Sequence, residues 1–177
     1  MSSLHRSSVA GRRVPGPGRA GASARGFTLV ELVVTVAIVG LLASMAVPAA
    51  EMAYKRSREQ DLKLALREIR RAIDAYKDGV DQGLVETKVG ETGYPPNLQV
   101  PVEGVPNQRD PNKAKIYFLR RIPRDPFSAD PTAAAQETWR LRSYESEPDA
   151  PEEGKDVYDV YSRSSATGLN GVPYAKW

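Results

Sequence analysis

The chain has 177 residues, 41% hydrophobic and 27% charged, with a formal net charge of +3 and no cysteine; this sets a ceiling of one ordinary globular domain and excludes disulfides and cysteine nucleophiles. The basic excess is local: Arg6, Arg12, Arg13, Arg19 and Arg25 stand in the first 26 positions with no acidic residue among them, beside the lone histidine, His5. The remainder carries 20 basic and 22 acidic side chains, a net of −2, with neither Cys nor His, so a nucleic-acid role loses its electrostatic basis, and His general bases and the usual zinc sets are excluded.

Residues 1–25 are rich in Ser, Gly, Pro and Arg, lack apolar periodicity and include the turn-forming stretch Val14-Pro15-Gly16-Pro17-Gly18. Such a composition buries too little apolar surface to fold. Arg-rich, Ser-rich and free of acid, it also fits an organelle transit peptide; the next segment argues against that.

From Phe27 to Ala50 the chain reads FTLVELVVTVAIVGLLASMAVPAA, with Glu31 as its one charge. At about 1.5 Å per residue a helix of this length spans about 36 Å, enough to cross a hydrocarbon core of about 30 Å. A secretory signal places its apolar core before the cleavage site, whereas here the small residue Gly26 precedes the apolar run, so a cut at that point leaves the run on the mature chain. Pro48 lacks a backbone donor and is expected to kink the helix or loosen the turn ahead of it.

Beyond Pro48, Leu62, Ala65, Leu66, Ile69, Ala72, Ile73 and Tyr76 recur at spacings of three and four among charged residues, which predicts an amphipathic helix to about Lys77 whose stripe packs on its own domain. Gly79 and Gly83 break that pattern, and a long irregular connection is expected over residues 78 to about 114, with Tyr94-Pro95-Pro96-Asn97 as its clearest turn. Ile116–Ile122 fits a short strand or a turn of helix before Pro123; Trp139–Tyr144 and Asp156–Ser162 fit strands flanking the solvated loop SEPDAPEEGK. The fold class is therefore α+β, a long N-terminal helix packed on a small antiparallel sheet.

Gly26-Phe27-Thr28-Leu29-Val30-Glu31 combines a small residue, then Phe, then Glu as the fifth residue of an apolar segment. Together with the run through Pro48, it resembles the type IV pilin-like family. The resemblance implies a basic leader over residues 1–26, a membrane and assembly helix over 27–50, and a periplasmic pilin-like domain over 51–177. It further implies that a prepilin peptidase cuts between Gly26 and Phe27, that the new Phe27 amine is N-methylated, and that Glu31 pairs with that ammonium on a neighbouring subunit during polymerisation. The plainer reading of Glu31 is an anion favoured by the dipole of the first helical turn. Five leader arginines against Lys55, Arg56 and Arg58 on the other flank orient the N-terminus to the cytoplasm and the C-terminal domain to the periplasm. Gly40, Ala43, Ser44 and Ala46 permit close helix packing.

Within that family, IYFLRRIPRDPF, WRLRSY, DVYDVYS and Trp177 resemble the layout of secretion-system major pseudopilins, Arg124-Asp125-Pro126-Phe127 matching their Asp-Pro-aromatic turn. The missing Cys pair separates the chain from most major type IV pilins. This resemblance implies a structural subunit of a type II secretion pseudopilus, partnered by copies of itself, minor pseudopilins, an inner-membrane assembly platform and the prepilin peptidase, in the bacterial inner membrane. Those pseudopilins follow the last strand with an acidic calcium loop. Here RSSATGLNGVPYAKW follows Ser162 without Asp or Glu, and Ala166 stands where an Asp is expected. Calcium takes six to eight oxygens, carboxylates foremost, so no metal or other cofactor is expected, and Ser, Thr, Asn and carbonyl contacts are expected to close the loop.

Three other readings stay open. One keeps the fold in a type IV pilus, a DNA-uptake fibre or a minor tip subunit. Another is a membrane-anchored enzyme using Asp125, Asp130, Asp149, Asp156 and Asp159; the plainer reading of these acids is a solvated surface, and no helper His, Cys or phosphate loop accompanies them. The last is a secreted protein from which the apolar run itself is removed.

Overall fold

The computed structural model describes residues 26–177; the expected leader, Gly26 apart, lies outside the described residues. Helix α1 comprises Leu29–Asp81. Its start is fixed by Thr28, whose hydroxyl accepts the Glu31 N–H at 3.2 Å, satisfying one donor that the first turn leaves without an intrahelical partner. In the apolar part, Thr35 and Ser44 donate their hydroxyls to Leu32 O and Leu41 O at 2.8 and 2.7 Å, so neither needs an outside acceptor. Pro48 lies inside the helix.

The helix extends beyond the expected end near Lys77, and Gly79 does not break it. Gly79 is buried in the last turns, where an added Cβ would come within 3.2 Å of Val85 and 3.3 Å of Phe118; the glycine admits those side chains. Termination belongs to Gly83, which adopts φ +68°. Its N–H reaches Val80 O, and the Leu84 N–H reaches Gly79 O, both at 2.8 Å. These are the paired bonds of a Schellman cap, with glycine at the left-handed position.

Residues Met45–Trp177 form one compact unit, and the described residues up to Ser44 belong to another. In the larger unit, Leu62, Ala65, Leu66, Ile69 and Ile73 of α1 pack with Leu98, Trp139, Val157, Val160 and Tyr174, while Tyr94, Ile122, Phe127, Leu141 and Trp177 flank this core. The stripe expected from periodicity is thus the core-facing side of α1.

The expected single sheet is two separate hairpins. Strands β1 (Val105–Pro106) and β2 (Lys115–Ile116) pair antiparallel, as do β3 (Trp139–Arg142) and β4 (Asp159–Ser162). The β3–β4 register sets Trp139 opposite Ser162 and Arg142 opposite Asp159. The segment expected to be a wholly irregular connection contains β1 and a short helix α2, Val100–Glu103. The segment 116–122 contributes little more than Ile116 to a strand. Leu119 and Phe118 instead both donate their N–H to Pro101 O at 3.0 Å, which docks that chain against α2.

Candidate functional site

The residues that the sequence marks for processing and assembly cluster at the beginning of α1. Phe27 is 79% exposed, the apolar side chains Leu29, Val30, Leu32 and Val33 are exposed as well, and an added Cβ on Gly26 or Gly40 would meet nothing within 4 Å. Glu31 lies in the first turn of α1. Among the described residues the ion pairs are Arg70–Asp159 and Lys77–Asp81, and Glu31 belongs to neither. One window of α1 has mean hydropathy 2.4, with none of it buried within the chain. This is a long apolar surface that carries one carboxylate and has no cover among the described residues.

A second cluster lies where α1 meets the C-terminal loop. Glu59 is 8% exposed, and its Oε1 accepts the Leu169 N–H at 2.7 Å and the Tyr174 hydroxyl at 2.9 Å. One turn earlier, Lys55 Nζ donates to Thr167 O at 2.9 Å. Arg58 donates to Pro126 O and lies 4.4 Å from the centroid of the Phe127 ring, which stacks on Tyr174 at 4.1 Å. Trp177 meets Tyr174 edge to face at 5.0 Å and receives Lys63 over its ring at 4.6 Å. Gly168 is buried under that indole, where a Cβ would fall 2.5 Å from Trp177. Burial pushes the Tyr174 phenol up to about 12, and the hydrogen bond and negative charge of Glu59 add to the rise.

Ser, Asn and carbonyl contacts of the expected kind occur inside the loop: Ser164 N–H to Ser162 Oγ at 3.1 Å, Ala166 N–H to Ser164 Oγ at 3.3 Å, Val172 N–H to Asn170 Oδ1 at 3.0 Å and Gly168 N–H to Val172 O at 2.9 Å, while Thr167 takes part through its backbone carbonyl, which meets Lys55. The clamp from Lys55 and Glu59 was not legible from the loop's own sequence.

The aspartates read as solvated surface divide. Asp125 is 3% exposed: its Oδ2 accepts the Ser162 hydroxyl at 2.5 Å, its Oδ1 accepts the Phe127 N–H at 2.7 Å, and its own N–H reaches Thr138 Oγ1 at 3.1 Å. Asp156, also buried, accepts the Tyr144 N–H at 2.9 Å and the Thr92 hydroxyl. Both are structural acceptors, since backbone donors need partners when buried. Asp159 pairs with Arg70 at 2.7 Å, and Arg70 also reaches Val160 O and Trp177 O at 3.2 and 2.8 Å. Asp130 is exposed, its carboxyl lowered by hydrogen bonds from the Thr132 hydroxyl and amide, and Asp149 is exposed too. The five are spread over separate hydrogen-bonded turns and strand ends. Tyr94, Tyr144 and Tyr158 form an aromatic trio with centroids 5.0–5.5 Å apart.

Residues 21–47, covering Gly26, Phe27 and Glu31, match the family model of the prokaryotic N-terminal methylation motif. Over 119 residues, 64% of this chain and 68% of the relative, the chain is 29% identical to the type II secretion system core protein G of Pectobacterium carotovorum subsp. carotovorum. It is 29% identical to the same-named protein of Klebsiella michiganensis over 112 residues, 61% of this chain and 71% of that one. The Klebsiella pneumoniae protein is 32% identical over 106 residues, 60% of this chain and 71% of the relative. No solved structure is significantly similar. An apolar helix opening on Gly26, Phe27 and Glu31, a small α+β unit on its amphipathic part, and relatives of one name and similar span lead to one conclusion: the chain belongs to the type II secretion system core protein G family.

Proposed function

We propose that the chain is a structural subunit of a type II secretion pseudopilus, processed after Gly26 and polymerised through the apolar part of α1. The observation that carries this reading is the Gly26-Phe27 junction followed by Glu31 on an apolar helix, within the matched methylation motif. An acid inside an inserted helix costs about 2.5–3.5 kcal/mol, less near the helix end. In lipid, a partner of opposite charge is weakly screened and therefore directional. The N-methylated ammonium of Phe27 on a neighbouring subunit is that partner, and the pair sets the axial register between copies.

In this proposal residues 27–50 lie in the inner membrane, the N-terminus faces the cytoplasm and residues 51–177 stand in the periplasm. Minor pseudopilins, the assembly platform and the prepilin peptidase are the partners. The role needs no catalysis, and Asp125 and Asp156 serve it as structural acceptors.

The experiment is Glu31→Val in the full chain, scored by cross-linked multimers in membranes. Multimers are expected to be lost while membrane insertion persists, because valine makes the helix more apolar. Multimers at the wild-type level would refute the register role of Glu31.

A further inference from the structure

The family resemblance implies a calcium ion in the loop after β4, and the donors present do not fit one. Calcium needs six to eight oxygens at about 2.3–2.6 Å. Among the described residues no group of three or more His, Cys, Asp or Glu side chains gathers to hold a metal, and residues 163–177 contain no acid. Three of the nearby oxygens are already committed. Ser162 Oγ faces Asp125, Thr167 O faces the Lys55 ammonium, and Glu59 Oε1 holds two donors. A carbonyl bonded to an ammonium is a poor place for a second cation.

We infer that Glu59 is the resident anchor of the C-terminal loop, a carboxylate of α1 doing from outside the loop what a bound divalent cation would do from within it. The polarity is inverted. A cation gathers oxygens, so a loop built around one turns its carbonyls and carboxylates inward. Glu59 gathers donors: the Leu169 amide and the Tyr174 hydroxyl converge on one oxygen. Lys55 then holds the outward-facing carbonyl of Thr167. The two side chains are four positions apart, so they lie on neighbouring turns of one helix face and grip the loop at Thr167, Leu169 and Tyr174. Ordering therefore comes from the covalent chain itself and is present at any calcium concentration.

The test uses the full chain in detergent, with hydrogen–deuterium exchange of the segment spanning residues 167–174 as a local readout and the melting temperature as a global one. Wild-type exchange and melting are expected to be the same in millimolar calcium chloride as in EGTA. Glu59→Ala is expected to speed exchange at Leu169 by about tenfold or more, since that amide loses its acceptor. Tyr174→Phe keeps the ring on Phe127 but removes one donor, and is expected to give a smaller increase in the same segment. It serves if Glu59→Ala does not fold. Calcium that slows wild-type exchange or raises its melting temperature would overturn the inference, as would wild-type exchange at Leu169 in both variants. The experiment reads no assembly, so its failure leaves the Glu31 proposal standing, and the reverse holds too.

Discussion

Tyr174 is wholly buried with its hydroxyl on Glu59, and its phenol is raised from 10.0 to about 12 by burial first and by the Glu59 contact second. Because the folded pKa lies above the unfolded one, the neutral phenol stabilises the fold fully below pH 10, and that contribution is lost as pH rises through about 12. Tyr76 and Tyr94 shift the same way, chiefly through burial. Melting temperature is therefore expected to fall as pH rises from 10 to 12, and Tyr174→Phe is expected to flatten that fall; an equally steep decline in the variant would contradict the assignment. Why Glu59 escaped sequence reading has a physical answer. It sits in the polar stretch Ser57-Arg58-Glu59-Gln60-Asp61, which reads as a solvated helix face, and the donors that bury it arrive 110 and 115 residues later. Asp125 and Asp156 were misjudged for the same reason, since their partners Ser162 and Thr92 are 37 and 64 positions away. Glu31 stands out in the sequence because its oddity is local: one acid in an apolar run.

At the level of elements, the stripe of α1 was readable because a 3.6-residue period repeated over several turns leaves few alternatives. The two-residue strands β1 and β2 carry no such period, and their pairing with each other rather than with β3 and β4 depends on turns such as Asn107–Lys113 that no alternation encodes. Gly79 misled for a related reason, because helix propensity counts a glycine as a break while the packing of Val85 and Phe118 requires one. The stripe also predicts an asymmetry. Ile69 is fully buried and Leu64, on the same helix, is 57% exposed. Ile69→Ala is expected to cost about 2–5 kcal/mol through lost burial and a residual cavity, whereas Leu64→Ala should stay within about 0.5 kcal/mol. Urea unfolding of the full chain in detergent compares them; equal losses would mean that the core does not lie on this face.

For the whole molecule, the decisive chemical observation is where the mature chain begins. Intact-mass and N-terminal peptide spectra are expected to give a chain opening on N-methylated Phe27, and one opening beyond Ala50 would remove the assembly helix and with it the proposed function. The core itself carries a consequence for biosynthesis. The ribosome makes Leu62, Leu66 and Ile69 early, yet part of their cover is Trp139, Val160 and Tyr174. Glu59 waits 115 residues for Tyr174, on the order of ten seconds at bacterial elongation speeds. Until those segments are made, the greasy side of the nascent helix is only partly covered, so the domain cannot finish folding before Tyr174 is in place. Its fate in the cell depends on whatever shields that side until Tyr174 has been made.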